Sequence, residues 1–187
     1  SGYFYAGYLG NTIKQDTHIV KEGEQMGNFY GFKSIDVDEN GKWIIQGKDG
    51  NPKPIDQQQQ EDKMVLGNGL PKHFLSWDNT LTFKNFDLNL TMRGAFKYQI
   101  LNTPRLYYEV PVSLAHGNLM ATAYDPVFGK RPLNDHQELQ YVSYYIENGD
   151  FWKIDNITIG YTLMLKDSFL KKVRVYATAN NLCTITG

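Results

Sequence analysis

The sequence has almost no cysteine, no apolar run long enough for a membrane helix, and no surplus of either charge. One thiol, Cys183, excludes an internal disulfide and a cysteine-rich metal site; a lone thiol of this kind is expected to serve as a small buried hydrophobe. Nineteen basic against twenty acidic side chains leave a formal net charge of −1, so there is no electrostatic footprint for nucleic acid or an anionic membrane surface. The four histidines, His18, His73, His116 and His136, stand apart, without HxH or HExxH spacing. No GxSxG, phosphate-cradling glycine loop or Cys/His signature occurs either, so no catalytic residue, metal or cofactor is expected. Asp125, Asp135, Glu138 and Glu147 lie in irregular segments, and nothing beyond composition supports a glycosidase-like pair among them. The opening SGYFYAGYLG lacks the basic and continuous apolar regions of a signal peptide. Without about 18 consecutive apolar residues there is no transmembrane helix, but transmembrane strands need only about 10 residues of alternation and stay open.

What is present is aromatic and alternating. Aromatics make up 14% of the chain, with 13 tyrosines, against a mean hydropathy of −0.47, which suits a sugar-binding surface or the interfacial girdle of a membrane barrel. Over 75–84, Leu75, Trp77, Leu81 and Phe83 take one face while Ser76, Asp78, Thr80, Thr82 and Lys84 take the other, with Asn79 breaking the apolar row. After a turn at Lys84-Asn85, Phe86, Leu88, Leu90, Met92 and Phe96 return against Asp87, Asn89, Thr91 and Arg93, and Gly94 leaves a gap. A second hairpin sets Ile157, Ile159, Tyr161 and Leu163, then Val173, Val175, Ala177 and Ala179, against polar rows. Weaker strand signals cover 3–10 and 26–35, and the best helix candidate, DSFLKK, is one or two turns long. The chain is expected to be all-β.

Two long segments, 36–72 and 98–150, read as irregular, rich in turn-formers, Pro and Tyr. DVDENG from Asp36 matches the first half of a calcium loop, but Gly47 stands where the bidentate Glu belongs, so a turn held by Asx hydrogen bonds is expected and no metal is assigned. Tyr107, Tyr108 and Tyr124 are the candidate substrate-binding residues; they would stack on a ligand or fill loop packing. Trp152, in FWKIDN, is placed at an interfacial belt.

Four ordered segments, GNFYGFKSID, GNGLPKHFLSWDNTLTFKNFDLNLTMRGAF, YIENGDFWKIDNITIGYTL and KKVRVYATANNLCTITG, resemble the C-terminal part of the barrel of SusC/RagA-type TonB-dependent outer-membrane transporters of Bacteroidetes. The resemblance implies that 1–187 is part of a large antiparallel transmembrane β-barrel, of 22 strands in full, with long extracellular loops and short periplasmic turns. It also implies that signal peptide, plug and closing strands lie outside this stretch. Leu75, Trp77, Leu81, Phe83, Leu88, Leu90, Met92, Ile157, Ile159, Tyr161 and Leu163 would then face lipid, and the polar rows a watery lumen. The implied activity is uptake of an oligosaccharide or oligopeptide with a SusD-like surface lipoprotein, driven by TonB through the plug, and not enzymatic. A secreted β-sandwich carbohydrate-binding module is the alternative, since it would show the same alternation. A glycan-processing enzyme ranks third.

Overall fold

Period-two patterning produces strands at both hairpins, and the computed structural model describes residues 2–111, 117–134, 138–166 and 169–187. His116, Asp135 and His136 lie outside the described residues. In chain order the main elements are β1 (Tyr3–Tyr8), α1 (Gly10–Ile13), β2 (Asp16–Lys21), β3 (Asn28–Gly31), β4 (Ser34–Val37), β5 (Trp43–Gln46), β6 (Pro52–Pro54) and β7 (Met64–Asn68). They continue with β8 (His73–Phe83), β9 (Phe86–Phe96), β10 (Gln99–Leu101), α2 (Thr103–Tyr108), β11 (Ile146–Asn148), β12 (Phe151–Met164) and β13 (Lys172–Thr186). They divide into two units, one of Ser1–Leu70 with Gln99–Glu147, the other of Pro71–Tyr98 with Asn148–Gly187.

The first unit holds a four-stranded sheet ordered β1-β2-β3-β7, a three-stranded sheet β4-β5-β6, and the short pair β10-β11. Its core gathers Phe32, Trp43, Ile45, Leu106, Tyr141 and Tyr145, each nearly or wholly buried. The segments 36–72 and 98–150 are therefore not structureless: they carry β4 to β7, β10, α2 and β11 and supply most of this core. Their apolar residues come at irregular spacings across short elements, so no period betrays them. Helix α2 follows from local chemistry, with Asn102 accepting from the Arg105 amide at 3.1 Å and Pro104 in the first turn. The DSFLKK segment lies between β12, which ends at Met164, and β13, which starts at Lys172, and its Asp167 and Ser168 are outside the described residues.

The second unit is one antiparallel sheet ordered β13-β12-β9-β8. Hairpin β8-β9 pairs Phe83 with Phe86 around a turn in which Lys84 takes φ +53°. Registers run unbroken from His73↔Phe96 to Phe83↔Phe86, and β12 pairs with both β9 and β13 with one shift between Ile154 and Asn156. Both connections, 84–85 and 165–171, lie at one end of the sheet. The chain leaves at Tyr98 and returns at Asn148 at the opposite end. Cys183 is exposed rather than buried, because β13 is an edge strand in a single layer.

Candidate functional site

Directly paired residues of an antiparallel sheet share a face, so the register assigns every side chain of the second unit. Trp77↔Met92, Leu81↔Leu88, Leu90↔Ile157, Leu88↔Ile159 and Phe86↔Tyr161 put Trp77, Leu81, Leu88, Leu90, Met92, Ile157, Ile159 and Tyr161 on one side. Alternation adds Leu75, Phe83 and Leu163, so all eleven expected lipid-facing residues project from the same face, with Val173, Val175, Ala177 and Ala179 beside them. No second sheet within this unit covers that face among the described residues. Leu81 is 58% exposed, Phe83 71% and Ile159 53%, whereas a sandwich would have buried them. The Gly94 gap is filled by rings: Trp152 lies over it and stacks on Phe96 with centroids 6.3 Å apart.

The opposite face is a polar network. Thr80 donates to Asn89 at 2.7 Å, Asn156 to Asn180 at 2.7 Å, and the Thr158 and Thr178 hydroxyls meet at 2.9 Å. Arg174 forks onto Asp87, its Nε 3.0 Å from Oδ1. The register shift makes room for Asp155, whose carboxylate lies 2.6 Å from Arg93 Nε and 2.7 Å from Lys153 Nζ. Regular alternation did not reveal this cluster. Its signal was the double polar step Asp155-Asn156 between Ile154 and Ile157, where one extra residue keeps both apolar runs on one face.

In the first unit the tyrosine candidates take different roles. Tyr107, on α2, donates its hydroxyl to the Leu9 carbonyl at 2.6 Å and is engaged in packing. Tyr108 and Tyr124 are exposed, and the Met120 amide donates to the Tyr108 carbonyl at 2.8 Å, tying their two segments together. Beneath α2, Arg105 pairs with Glu109 and Glu147 and lies 5.0 Å from the Tyr144 ring centroid. Burial works against the Glu147 carboxylate, but hydrogen bonds from Arg105 and Asn102 outweigh it and hold its carboxyl below the usual range. Asp125 lines a cavity of about 300 Å³ with Arg105 and Glu109. At the DVDENG turn, Asp38 accepts from the Asn40 and Lys42 amides at 2.8 Å each, and Asp36 pairs with Lys130. Asp62, 2% exposed, accepts from Lys53 Nζ and from the Lys48 and Gln59 amides, which hold its carboxyl down at about 2. Burial keeps the His18 ring below its ordinary pKa. No group of three or more metal-ligating side chains exists among the described residues.

No protein-family model matches the chain. Among curated proteins it is 28% identical over 206 aligned positions to the TonB-dependent receptor P3 of Formosa agariphila, covering 95% of this chain and 19% of that protein. It is 29% identical over 185 positions to the TonB-dependent receptor SusC of Bacteroides thetaiotaomicron, covering 92% and 17%. The chain thus spans about a fifth of the length of the relatives it matches. Among solved structures, the RagAB peptide transporter aligns with a TM-score of 0.77 and 18% identity over 98% of this chain and 21% of that one. The RagAB peptide importer in its closed-closed state aligns with 0.70 and 19% identity over 86% and 19%. Over nearly all of its length the chain is similar to a stretch of SusC/RagA-type TonB-dependent transporters, and its antiparallel sheet is part of their barrel fold.

Proposed function

We propose that this chain is a barrel section of a nutrient importer in the outer membrane, with the Leu81–Leu88 face against lipid and the Asp87–Arg174 face toward the lumen. The carrying observation is a single-layer sheet with one face apolar but for Asn79 and uncovered within the unit, while the other is hydrogen-bonded and charged. In water that apolar face would be a severe aggregation liability; in a bilayer it is solvated by lipid. The chain leaves and re-enters the sheet at the end away from the short turns, which suits long extracellular segments where a SusD-like lipoprotein would close over an oligosaccharide or oligopeptide. TonB would act through the plug, on polypeptide outside these residues. No side chain in this stretch is assigned covalent chemistry.

The test uses the full-length transporter with three single changes. Leu88→Arg and Leu90→Arg each place a charge on the lipid face, costing about 2 to 4 kcal/mol near the midplane, and should abolish the heat-modifiable folded form in outer-membrane preparations. Asn89→Arg, one residue along but on the opposite face, should assemble at wild-type level. Equal assembly of all three would refute the assignment of faces.

A further inference from the structure

The sheet carries two aromatic clusters at the end away from its turns, one on each face. Trp152 and Phe96 lie on the apolar face, where an interfacial belt accounts for them. Phe74 and Phe151, paired through Ala95, share the face of Ser76, Arg93 and Lys153, where lipid cannot account for them. Together with Tyr98, whose ring is seated directly over Gly149, they line a cleft of about 390 Å³ that also includes Ser76 and Arg93. Ala95 forms a buried floor at 4% exposure, while Phe74 stays 74% exposed. The cleft is large enough for an amino-acid side chain and its attached backbone.

Its charge is equally defined. Asp155 meets Arg93 at Nε, 2.6 Å away, and is shared with Lys153, so a single carboxylate serves two cations. The Arg93 side chain remains 58% exposed and pairs with no other carboxylate among the described residues. Resting on the lumenal assignment proposed above, we infer that this cleft is a binding subsite for an apolar group bearing a carboxylate, namely the C-terminal aromatic or aliphatic residue of a peptide. The Phe74, Phe151 and Tyr98 rings take the side chain and the exposed Arg93 guanidinium takes the carboxylate. A neutral sugar would bring no second carboxylate to a cluster in which Asp155 alone serves both Arg93 and Lys153.

The experiment is calorimetric titration of the purified full-length transporter with Ala-Ala-Phe, its C-terminal amide, and maltotriose. The free acid should bind about tenfold more tightly than the amide, the difference expected for one charge-assisted hydrogen bond. Maltotriose should not compete. Arg93→Gln should erase the acid preference, Arg93→Lys should restore part of it, and Phe74→Ala, at an exposed site, should weaken acid and amide alike. Equal binding of acid and amide would overturn the inference. So would no binding at all to correctly assembled protein, the result expected if another segment of the same polypeptide fills the cleft. Heat-modifiability of each variant separates the two levels: a folded barrel without acid preference removes this subsite alone, whereas normal assembly of Leu88→Arg removes the assignment of faces beneath it.

Discussion

Gly94 and Gly160 show how differently one methyl group acts at two positions of the same sheet. A Cβ on Gly94 would sit 2.7 Å from the Phe151 carbonyl oxygen and 2.5 Å from the Trp152 ring, and the backbone oxygen cannot withdraw without parting β9 from β12. Gly94→Ala should therefore cost about 1 to 3 kcal/mol, as overpacking does, read as a lowered unfolding midpoint in denaturant. A Cβ on Gly160 would meet only the ends of the Asp87 and Arg174 side chains, at 2.5 Å. Gly160→Ala should displace that ion pair and lower the unfolding midpoint less than Gly94→Ala does, because exposed salt bridges contribute little. Asp62 gives the pH-dependent case. Its folded pKa is depressed, so its contribution is complete above the unfolded value near 3.8 and is lost as pH falls toward about 2. Asp62→Asn should speed hydrogen exchange at the Lys48 and Gln59 amides at pH 6 and leave little difference at pH 2. Equal exchange at pH 6 would refute the role.

At the scale of elements, strand β12 depends on its one irregular residue. Side chains alternate with period two, so inserting or removing one residue exchanges the faces on one side of the change. Asp155 is such an insertion relative to β9, and it lets Trp152 and Ile154 stay on the apolar face together with Ile157 and Ile159. Deleting Asp155 should drive Trp152 to the polar face or break the pairing with β9. Either result should reduce the heat-modifiable fraction well below that of Asp155→Asn, which keeps the residue count. Elements with strong alternation, β8, β9 and the body of β12 and β13, could be placed with correct faces from residues alone. Strands β2, β5, β6 and β7 could not, because they are three to six residues long, too short for the alternation of burial in β2 and β5 to stand out in the sequence. Helix α2 escaped for the same reason, although Asn102-Thr103-Pro104 is a helix start in miniature.

At the scale of the molecule, the second unit is an open sheet with β8 and β13 at its edges. Each edge carries unpaired backbone donors and acceptors that a membrane would not tolerate, so the barrel reading requires neighbouring strands from the rest of the polypeptide. Cys183 reports on this. It pairs with Ile154 on the apolar face, while Thr184 pairs with Lys153 on the polar one. In outer membranes carrying the full-length protein, a charged, membrane-impermeant maleimide should leave Cys183 unlabelled and should label a Thr184→Cys variant made in a Cys183→Ser background. The reverse pattern would place lipid on the wrong side.

By itself the sequence determined the all-β class, the two hairpins, their faces and the resemblance to a transporter barrel. These are consequences of strict alternation over 10 or so residues, a local property that needs no partner to be read. Only the tertiary structure decided that the tyrosine-rich and Pro-rich segments build a cored unit, that Tyr107 is engaged with Leu9 while Tyr108 and Tyr124 stay exposed, and that Asp155 bridges Arg93 and Lys153. It alone brought Phe74, Tyr98 and Phe151 to one cleft. Those facts depend on contacts between residues dozens of positions apart, which chain closure and burial select and which no short-range pattern encodes.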